Sequence, residues 1–316
     1  MHPAEQPSST DPIRARTTLG DYELTILSDG FYFLDGGAMF GVVPKPLWEK
    51  RAPADNQNRI LLGLNTVIIR TGKHTIAIET GIGNKLSDKL KAIYGVKEQL
   101  PQAFEAAQIR PEEIDIVINS HLHFDHSGWN TTRTPEGRIV PTFPNARYFA
   151  HRGEVTHGHL QLERDAISYI SDNYDPLIAT GQMTLLDTRP GEIQEIVPGI
   201  SVECFPGHTA QLLAIHIEPA GTGSSGSGTS GTGSSSKGAG TPHACYISDL
   251  IPTTAHLDPT WVMGYDLDPV TCIAERKRFY QRAIPEQWLV LFTHDHHTPL
   301  GQITLNEKGK PTLRQP

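Results

Sequence analysis

A short, almost wholly apolar run, Ile114-Asp115-Ile116-Val117-Ile118-Asn119-Ser120, passes without a break into His121-Leu122-His123-Phe124-Asp125-His126. The first part has the length and β-branched content of a buried strand. The second part puts three imidazoles and a carboxylate where that strand ends. In extended backbone, residues i and i+2 project to the same side, so His121 and His123 can grip one ion. Asp125 and His126 follow where the chain turns, and can face a second ion close by. Such a set makes a poor core and a good metal cradle. A lone histidine on an apolar face is ordinarily a satisfied side chain; this density of ligand types reverses that expectation. The chain carries 15 His against 4 Met and 4 Trp, which raises the same question about metal.

The rest of the chain reads as a layered α/β fold. Tyr22–Ser28 alternates, and Asn65–Arg70 and His74–Glu79 are β-branched runs separated by Thr71-Gly72-Lys73, a hairpin signal. Arg147–Ala150, Met183–Leu186, Ile200–Phe205, Leu212–Glu218, Ala244–Ser248 and Leu289–Thr293 read as further strands, and Asn84–Tyr94 and Pro101–Gln108 as helices. Asp268-Pro269 opens a helix with an N-cap carboxylate and Pro at its first position, and Cys272, Phe279 and Ala283 form its apolar stripe. Strands and helices mix throughout, so they share layers and are not segregated. Residues 1–20 are polar and read as a flexible tail before one domain over 21–316. Residues 221–240 are Gly/Ser-rich, the composition of a flexible, disordered segment.

Charge and composition narrow the partners. Lys+Arg minus Asp+Glu is 27 − 35 = −8, which argues against nucleic acid or an anionic membrane as the main partner. No apolar run approaches the roughly 18 residues that span a bilayer. The N-terminal residues have no apolar core behind a basic start, so a cytoplasmic location is expected. Cys204, Cys245 and Cys272 are too few for a disulfide framework, and Cys204 and Cys245 read as small buried residues on strands.

The His-x-His-x-Asp-His pattern is the signature of the metallo-β-lactamase superfamily, and the chain resembles that family from about Asp21 to near its C-terminus. Asn65–Gly83 is similar to the family's early hairpin and acidic-Thr-Gly turn. Pro206-Gly207-His208-Thr209, Ser248-Asp249-Leu250 and Phe292-Thr293-His294 resemble its later ligand motifs. Phe40–Lys45 and Met263-Gly264-Tyr265-Asp266 resemble a subgroup holding quorum-quenching lactonases and methyl-parathion-hydrolase-like enzymes. The resemblance implies an αββα sandwich. It implies one ion on His121, His123 and His208, another on Asp125, His126 and His294, and Asp249 bridging them with a water or hydroxide between. Two divalent ions are implied, Zn2+ first, with manganese, iron or cobalt also suited to this N/O set. Asp125 and Asp249 are the implied catalytic carboxylates. His294 is preferred over His296 and His297 because it closes a strand. His151, His157 and His159 read as solvated or supporting groups, and His256 as structural.

This ligand set bears on the Gly/Ser segment: His208 precedes it and Asp249 follows it, so the segment reads as an excursion on a hairpin within one domain. Two departures stand out. Glu79 occupies the place of the family's usual Asp, which supports a ligand histidine from behind. Leu250-Ile251-Pro252-Thr253 stands where lactonases of the family often carry a Tyr, leaving Tyr265 or the metal to polarise a carbonyl. Phe40, Trp48, Trp129, Trp261, Met263 and Tyr265 are candidates for a substrate-pocket wall. The expected activity is hydrolysis of a lactone or ester, including N-acyl-homoserine lactones. The alternatives are a phosphotriesterase, a thiolesterase of the glyoxalase II type, and a non-catalytic metal-binding module. A small-molecule partner is expected, without nucleic acid or membrane, and a homodimer is compatible with this reading.

Overall fold

Strands that are apolar on both faces need cover on both faces, and two stacked sheets between two helical layers supply it. A computed structural model describes residues 11–219 and 242–315. The strands are β1 (Ile13–Leu19), β2 (Tyr22–Asp35), β3 (Arg59–Arg70), β4 (Thr75–Ile78), β5 (Ile116–Ile118), β6 (Thr131–Arg133), β7 (Ile139–Pro141), β8 (Arg147–His151), β9 (Met183–Leu186), β10 (Ile193–Val197), β11 (Ile200–Cys204), β12 (Leu213–Ile217), β13 (Ala244–Tyr246), β14 (Leu289–Leu291), β15 (Leu300–Leu305) and β16 (Pro311–Arg314). The helices are α1 (Gly36–Phe40), α2 (Lys45–Trp48), α3 (Asp88–Tyr94), α4 (Leu100–Ala106), α5 (Phe124–Ser127), α6 (Arg152–Leu160), α7 (Asp175–Ala179) and α8 (Pro269–Ala283). One sheet runs β1-β2-β3-β4-β5-β8-β9, the other β10-β11-β12-β13-β14-β15-β16, and β6-β7 form a small ribbon.

The two-residue period of each strand sorts its side chains between layers. Val67, Ile69, Ile116 and Ile118 of the first sheet meet Leu213, Ile215, Ile217 and Tyr246 of the second in the core between the sheets. The intervening Ile68 and Val117 point the other way, under α4, α6 and α7 with Phe104, Val155 and Leu177. Ala214, Cys245 and Val290 do the same on the second sheet, under Phe279 and Ala283 of α8. The result is the αββα sandwich. Asp268 caps α8 by accepting from Thr271 N at 3.0 Å, and Cys272, Phe279 and Ala283 are buried as their spacing requires.

β4 and β5 pair in parallel, as do β13 and β14, while β12 runs antiparallel to β13. The ends of β4, β5, β13 and β14 and the β11–β12 loop therefore gather along one edge. Cross-links fix that edge: Leu213 N donates to Ser120 O, and Gly63 N and Asn65 N donate to His294 O and Thr293 O. The turns after β4 and β5 cross closely. Gly83 lies at φ +70°, and a Cβ there would come within 2.2 Å of Gly128 O. A side chain at either glycine would push the two turns apart.

Three expectations need correction. Residues 13–19, assigned to a flexible tail, form β1, whose Leu19 is buried. The helix expected from Asn84 begins only at Asp88, with Ser87 as its cap. The 221–240 segment lies outside the described residues. The strands on either side of it pair directly, Ile215 with Tyr246 and Ile217 with Ala244. Among the described residues no helix is long and apolar enough to cross a membrane.

Candidate metal centre

Each candidate ligand sits where a strand runs out. His121 and His123 follow β5, and Asp125 and His126 form the first turn of α5, with φ/ψ of −61°/154° at His123. His208 lies in the β11–β12 loop, Asp249 in a 3₁₀ turn after β13, and His294 beyond β14. The ligand atoms of His121, His123 and His208 all lie within 4.8 Å of one another, as do those of Asp125, His126 and His294. Asp249 spans the two groups: its Oδ2 is 3.3 Å from His208 Nε2 and 3.5 Å from His126 Nε2, and its Oδ1 is 3.2 Å from His294 Nε2.

Hydrogen bonds decide which nitrogen each imidazole turns inward. His294 Nδ1 lies 2.9 Å from Gly63 O, and His208 Nδ1 lies 2.9 Å from Asp266 Oδ1. Both oxygens can only accept, so both Nδ1 atoms carry a proton and Nε2 is the nitrogen turned inward. His121 Nδ1 contacts Ser120 Oγ at 2.9 Å, and Nε2 faces His123 Nδ1 at 3.1 Å. His123 Nδ1 in turn is 3.2 Å from His208 Nε2, and His294 Nε2 is 3.2 Å from His126 Nε2.

These inward atoms fit a cation. His208 Nε2 and His294 Nε2 both turn on the Asp249 carboxylate, whose negative charge must be balanced by positive charge, on the rings or on an ion among them. Among the described residues Asp249 Oδ1 accepts no hydrogen bond, although it is buried. Burial and the neighbouring imidazoles hold His121 and His123 well below the ordinary histidine range. Burial also acts on Asp249, but His294, His126 and His208 outweigh it and keep the carboxylate well below its usual value. His126 is opposed by burial yet pushed well up by Asp249 and Asp125. Neutral His121 and His123 beside an ionised Asp249 are in the protonation state of metal ligands, whereas His126 and His208, opposed by burial yet raised by the carboxylates, must release protons to bind an ion.

Supporting groups surround the ligands. Glu79, in the left-handed region at φ 60°, accepts from Ser120 N at 3.0 Å and lies 3.6 Å from His126 Nδ1, behind the ring. Asp266 is buried; its second oxygen accepts from Met263 N at 2.9 Å, so it ties His208 to the 263–266 turn. The remaining histidines turn elsewhere. His296 and His297 lie against each other, tilted by 44°, and line a separate cavity. His151 accepts from Gly153 N at the start of α6, while His157 and His159 pair with Asp165 and Asp175. His256 packs flat on Phe40, 4.5 Å between centroids.

A cavity of about 160 Å³ opens over the centre. His123, Asp125, His208, Asp249 and His294 form its base, and Tyr32, Met39, Phe124, Met263 and Tyr265 its walls. Met263 and Tyr265 therefore stand where the sequence placed them. Four expected wall residues do not. Phe40 and Trp48 are fully buried and stack at 5.2 Å. Trp261 packs edge-on to Phe40 and lies under the Arg51 guanidinium. Trp129 donates its Nε1–H to Asp29 and borders a different cavity of about 500 Å³, on the outer face of the first sheet. Long-range neighbours, which sequence alone does not disclose, turn these aromatics away from the centre. Tyr32, Tyr94 and Arg164 line the cavity and went unread; no ligand pattern surrounds them in the sequence.

The Metallo-beta-lactamase superfamily model matches residues 60–180. An N-acyl homoserine lactonase, AiiB, of Rhizobium rhizogenes is 26% identical over 157 residues, covering 48% of this chain and 53% of the relative. The chain thus spans about half the length of that curated relative. A probable metal-dependent hydrolase from Staphylococcus aureus superposes with a TM-score of 0.78 at 29% identity, covering 95% of this chain and 99% of the other. AidC, a dizinc quorum-quenching lactonase crystallised with a product, superposes at 0.72 and 20% identity, covering 97% and 98%. With its strand-end ligand motifs gathered on one edge of an αββα sandwich, the chain carries a metallo-beta-lactamase superfamily domain and folds as that superfamily does.

Proposed function

We propose that this chain is a hydrolase that uses two divalent metal ions, zinc foremost, to open a lactone or cleave an ester. The observation that carries the reading is the Asp249 carboxylate, which reaches one ligand group through Oδ2 and the other through Oδ1. His121, His123 and His208 would hold one ion, Asp125, His126 and His294 the other, and Asp249 both. When bound, such ions supply an acidified water and Lewis-acid pull on a carbonyl or phosphoryl oxygen. The chain's own residues do the rest. Asp249, kept ionised by three imidazoles, fixes the spacing of the two groups. Asp125 lines the cavity, and no hydrogen bond reaches its Oδ1 among the described residues, so that oxygen can take up a proton and pass it to a leaving group. Leu34, Met39, Phe124 and Met263 give the cavity an apolar wall.

The cavity is smaller than the roughly 300–1,000 Å³ that buries a drug-sized ligand. It suits a compact electrophilic centre, with any acyl chain running out past Tyr265 and Ile167, which are exposed at its rim. The lactonase names of AiiB and AidC support the lactone reading. One feature favours a phosphotriester instead: Leu250 and Ile251, both buried, follow Asp249 where a carbonyl-polarising Tyr would stand. Side-by-side kinetics on an N-acyl-homoserine lactone and an aryl dialkyl phosphorothioate, on protein of known metal content, decide between them. The expected result is a larger kcat/KM for the lactone. A tenfold preference for the phosphorothioate, about 1.4 kcal/mol, reverses the order and leaves the metal assignment standing.

A further inference from the structure

We propose that Tyr32 is a positioning residue for the Asp125–His126–His294 group, and that it makes the two candidate ion positions unequal. The inference rests on the two-ion reading above. Tyr32 lies on β2, past a register shift between Ser28 and Phe31 that separates the part of the strand over the core from the part over the cavity. The side chain is 1% exposed. Its hydroxyl donates to Asp125 Oδ2 at 2.6 Å, and its ring meets the His294 imidazole edge-on at 5.7 Å. It therefore touches two of the three ligands of one group. Among the described residues it makes no hydrogen bond or ring contact with His121, His123 or His208.

The oxygen it holds is the one that matters. Asp125 Oδ2 is 3.8 Å from His126 Nε2 and 3.7 Å from His294 Nε2, so it faces the point on which those nitrogens converge. A carboxylate oxygen has two lone pairs. With one taken by the Tyr32 O–H, the other is aimed at the ion position, and the carboxylate cannot swing to offer both oxygens. Asp125 then binds through a single oxygen in a fixed direction. The other group has a different anchor, His208 on Asp266, so losing Tyr32 leaves it intact. Partners of this kind typically change metal affinity by 10–100-fold.

The test is a zinc titration of chelator-stripped protein against a chromophoric competitor, for wild type, Tyr32→Phe and Asp125→Asn. Phenylalanine keeps the ring against His294 and removes only the O–H. Wild type is expected to take up two ions in distinguishable steps. Tyr32→Phe should weaken one step by tenfold or more, the same step that Asp125→Asn weakens, and leave the other within twofold. The unchanged step doubles as the control for folding. Two unchanged steps, equal weakening of both, or weakening of the step that Asp125→Asn spares would overturn the proposal. Uptake of fewer than two ions by wild type would instead overturn the two-ion reading and the proposal with it, and this shows in wild type before any variant is compared.

Discussion

Two clusters of buried imidazoles and carboxylates stand at opposite ends of β12 and β13, the first shared with the end of β5, and they use the same side chains in opposite ways. At the candidate centre, His208 and His294 each spend one nitrogen on an oxygen outside the cluster and turn the other inward, onto the Asp249 carboxylate. At the far end of β12 and β13, Glu218 Oε1, His243, His216 and Glu203 form a chain with both nitrogens of each ring engaged along it. Its links are 3.2, 3.0 and 3.0 Å. Arg278 and Arg282 of α8 complete it on Glu203, and Trp288 packs on both imidazoles. Hydrogen bonds join His216 to His243 and to Glu203, and a carboxylate stands at each end of the chain. Among the described residues the first cluster has no Lys or Arg partner; the second has the guanidinium groups of Arg278 and Arg282. Histidine content does not mark a metal centre, but the convergence of three ligand atoms does.

The strongest way to break this contrast is to remove the carboxylate that joins the two ligand groups. Asp249→Ala should lower kcat/KM at least a thousandfold, about 4 kcal/mol of transition-state stabilisation. Elemental analysis should show fewer than the two ions expected in wild type. Asp125→Asn, which keeps an oxygen, should lose less, about 10–100-fold, and should act on one ion only. Equal losses in the two variants would mean that Asp249 is no bridge.

The second cluster predicts a stability effect with no metal effect. Burial opposes ionisation of Glu203, but His216, Arg278 and Arg282 outweigh it and hold the carboxyl at about 2, below its ordinary 4.5. A depressed carboxyl contributes stability that is present above 4.5 and lost as pH falls through about 2; the amount is on the order of 3 kcal/mol. Glu203→Gln should therefore unfold at lower denaturant at neutral pH, with metal content and kcat unchanged. The gap from wild type should close between pH 4.5 and about 2. A loss of metal in this variant would show that the two clusters are coupled.

What the sequence discloses about these clusters follows from how local each is. His121 to His126, Pro206 to His208 and Ser248 to Asp249 are contiguous signals at strand ends, and α8 is legible from its cap and stripe. The Tyr32–Asp125 bond joins residues 93 apart, and the His216–His243 contact crosses the Gly/Ser segment, so no spacing reports them. Asp266 was visible, but nothing local separates an orienting carboxylate from loop scaffolding. β1 hid in a polar stretch because, as an edge strand, it gives only Ala15 and Leu19 to the core between the sheets, while Ile13, beyond a register shift, packs on the other side. β16, at the opposite sheet's edge, and β15 beside it escaped because their burial is partial and their polar content high.

The smallest expected effect concerns residues 221–240 themselves. Glu218 and His243, two members of the far cluster, stand close to either end of this segment in the chain. β12 and β13 pair on their own hydrogen bonds, with His216 opposite Cys245. A shorter connection between paired strands costs less closure entropy, by (3/2)RT times the logarithm of the length ratio. Replacing 221–240 by a Gly-Asn turn should thus raise stability by on the order of 1 kcal/mol. Turnover and metal content should stay as in wild type, since the ligands His208 and Asp249 are fixed at the opposite ends of these strands by Asp266 and the 3₁₀ turn. Chemical denaturation measures the gain, and the same preparation is assayed for zinc. If the shortened protein is less stable but keeps its metal, the segment supports the far cluster. If it loses metal, the segment reaches the centre itself, and the separation of the two clusters along the sheet does not hold.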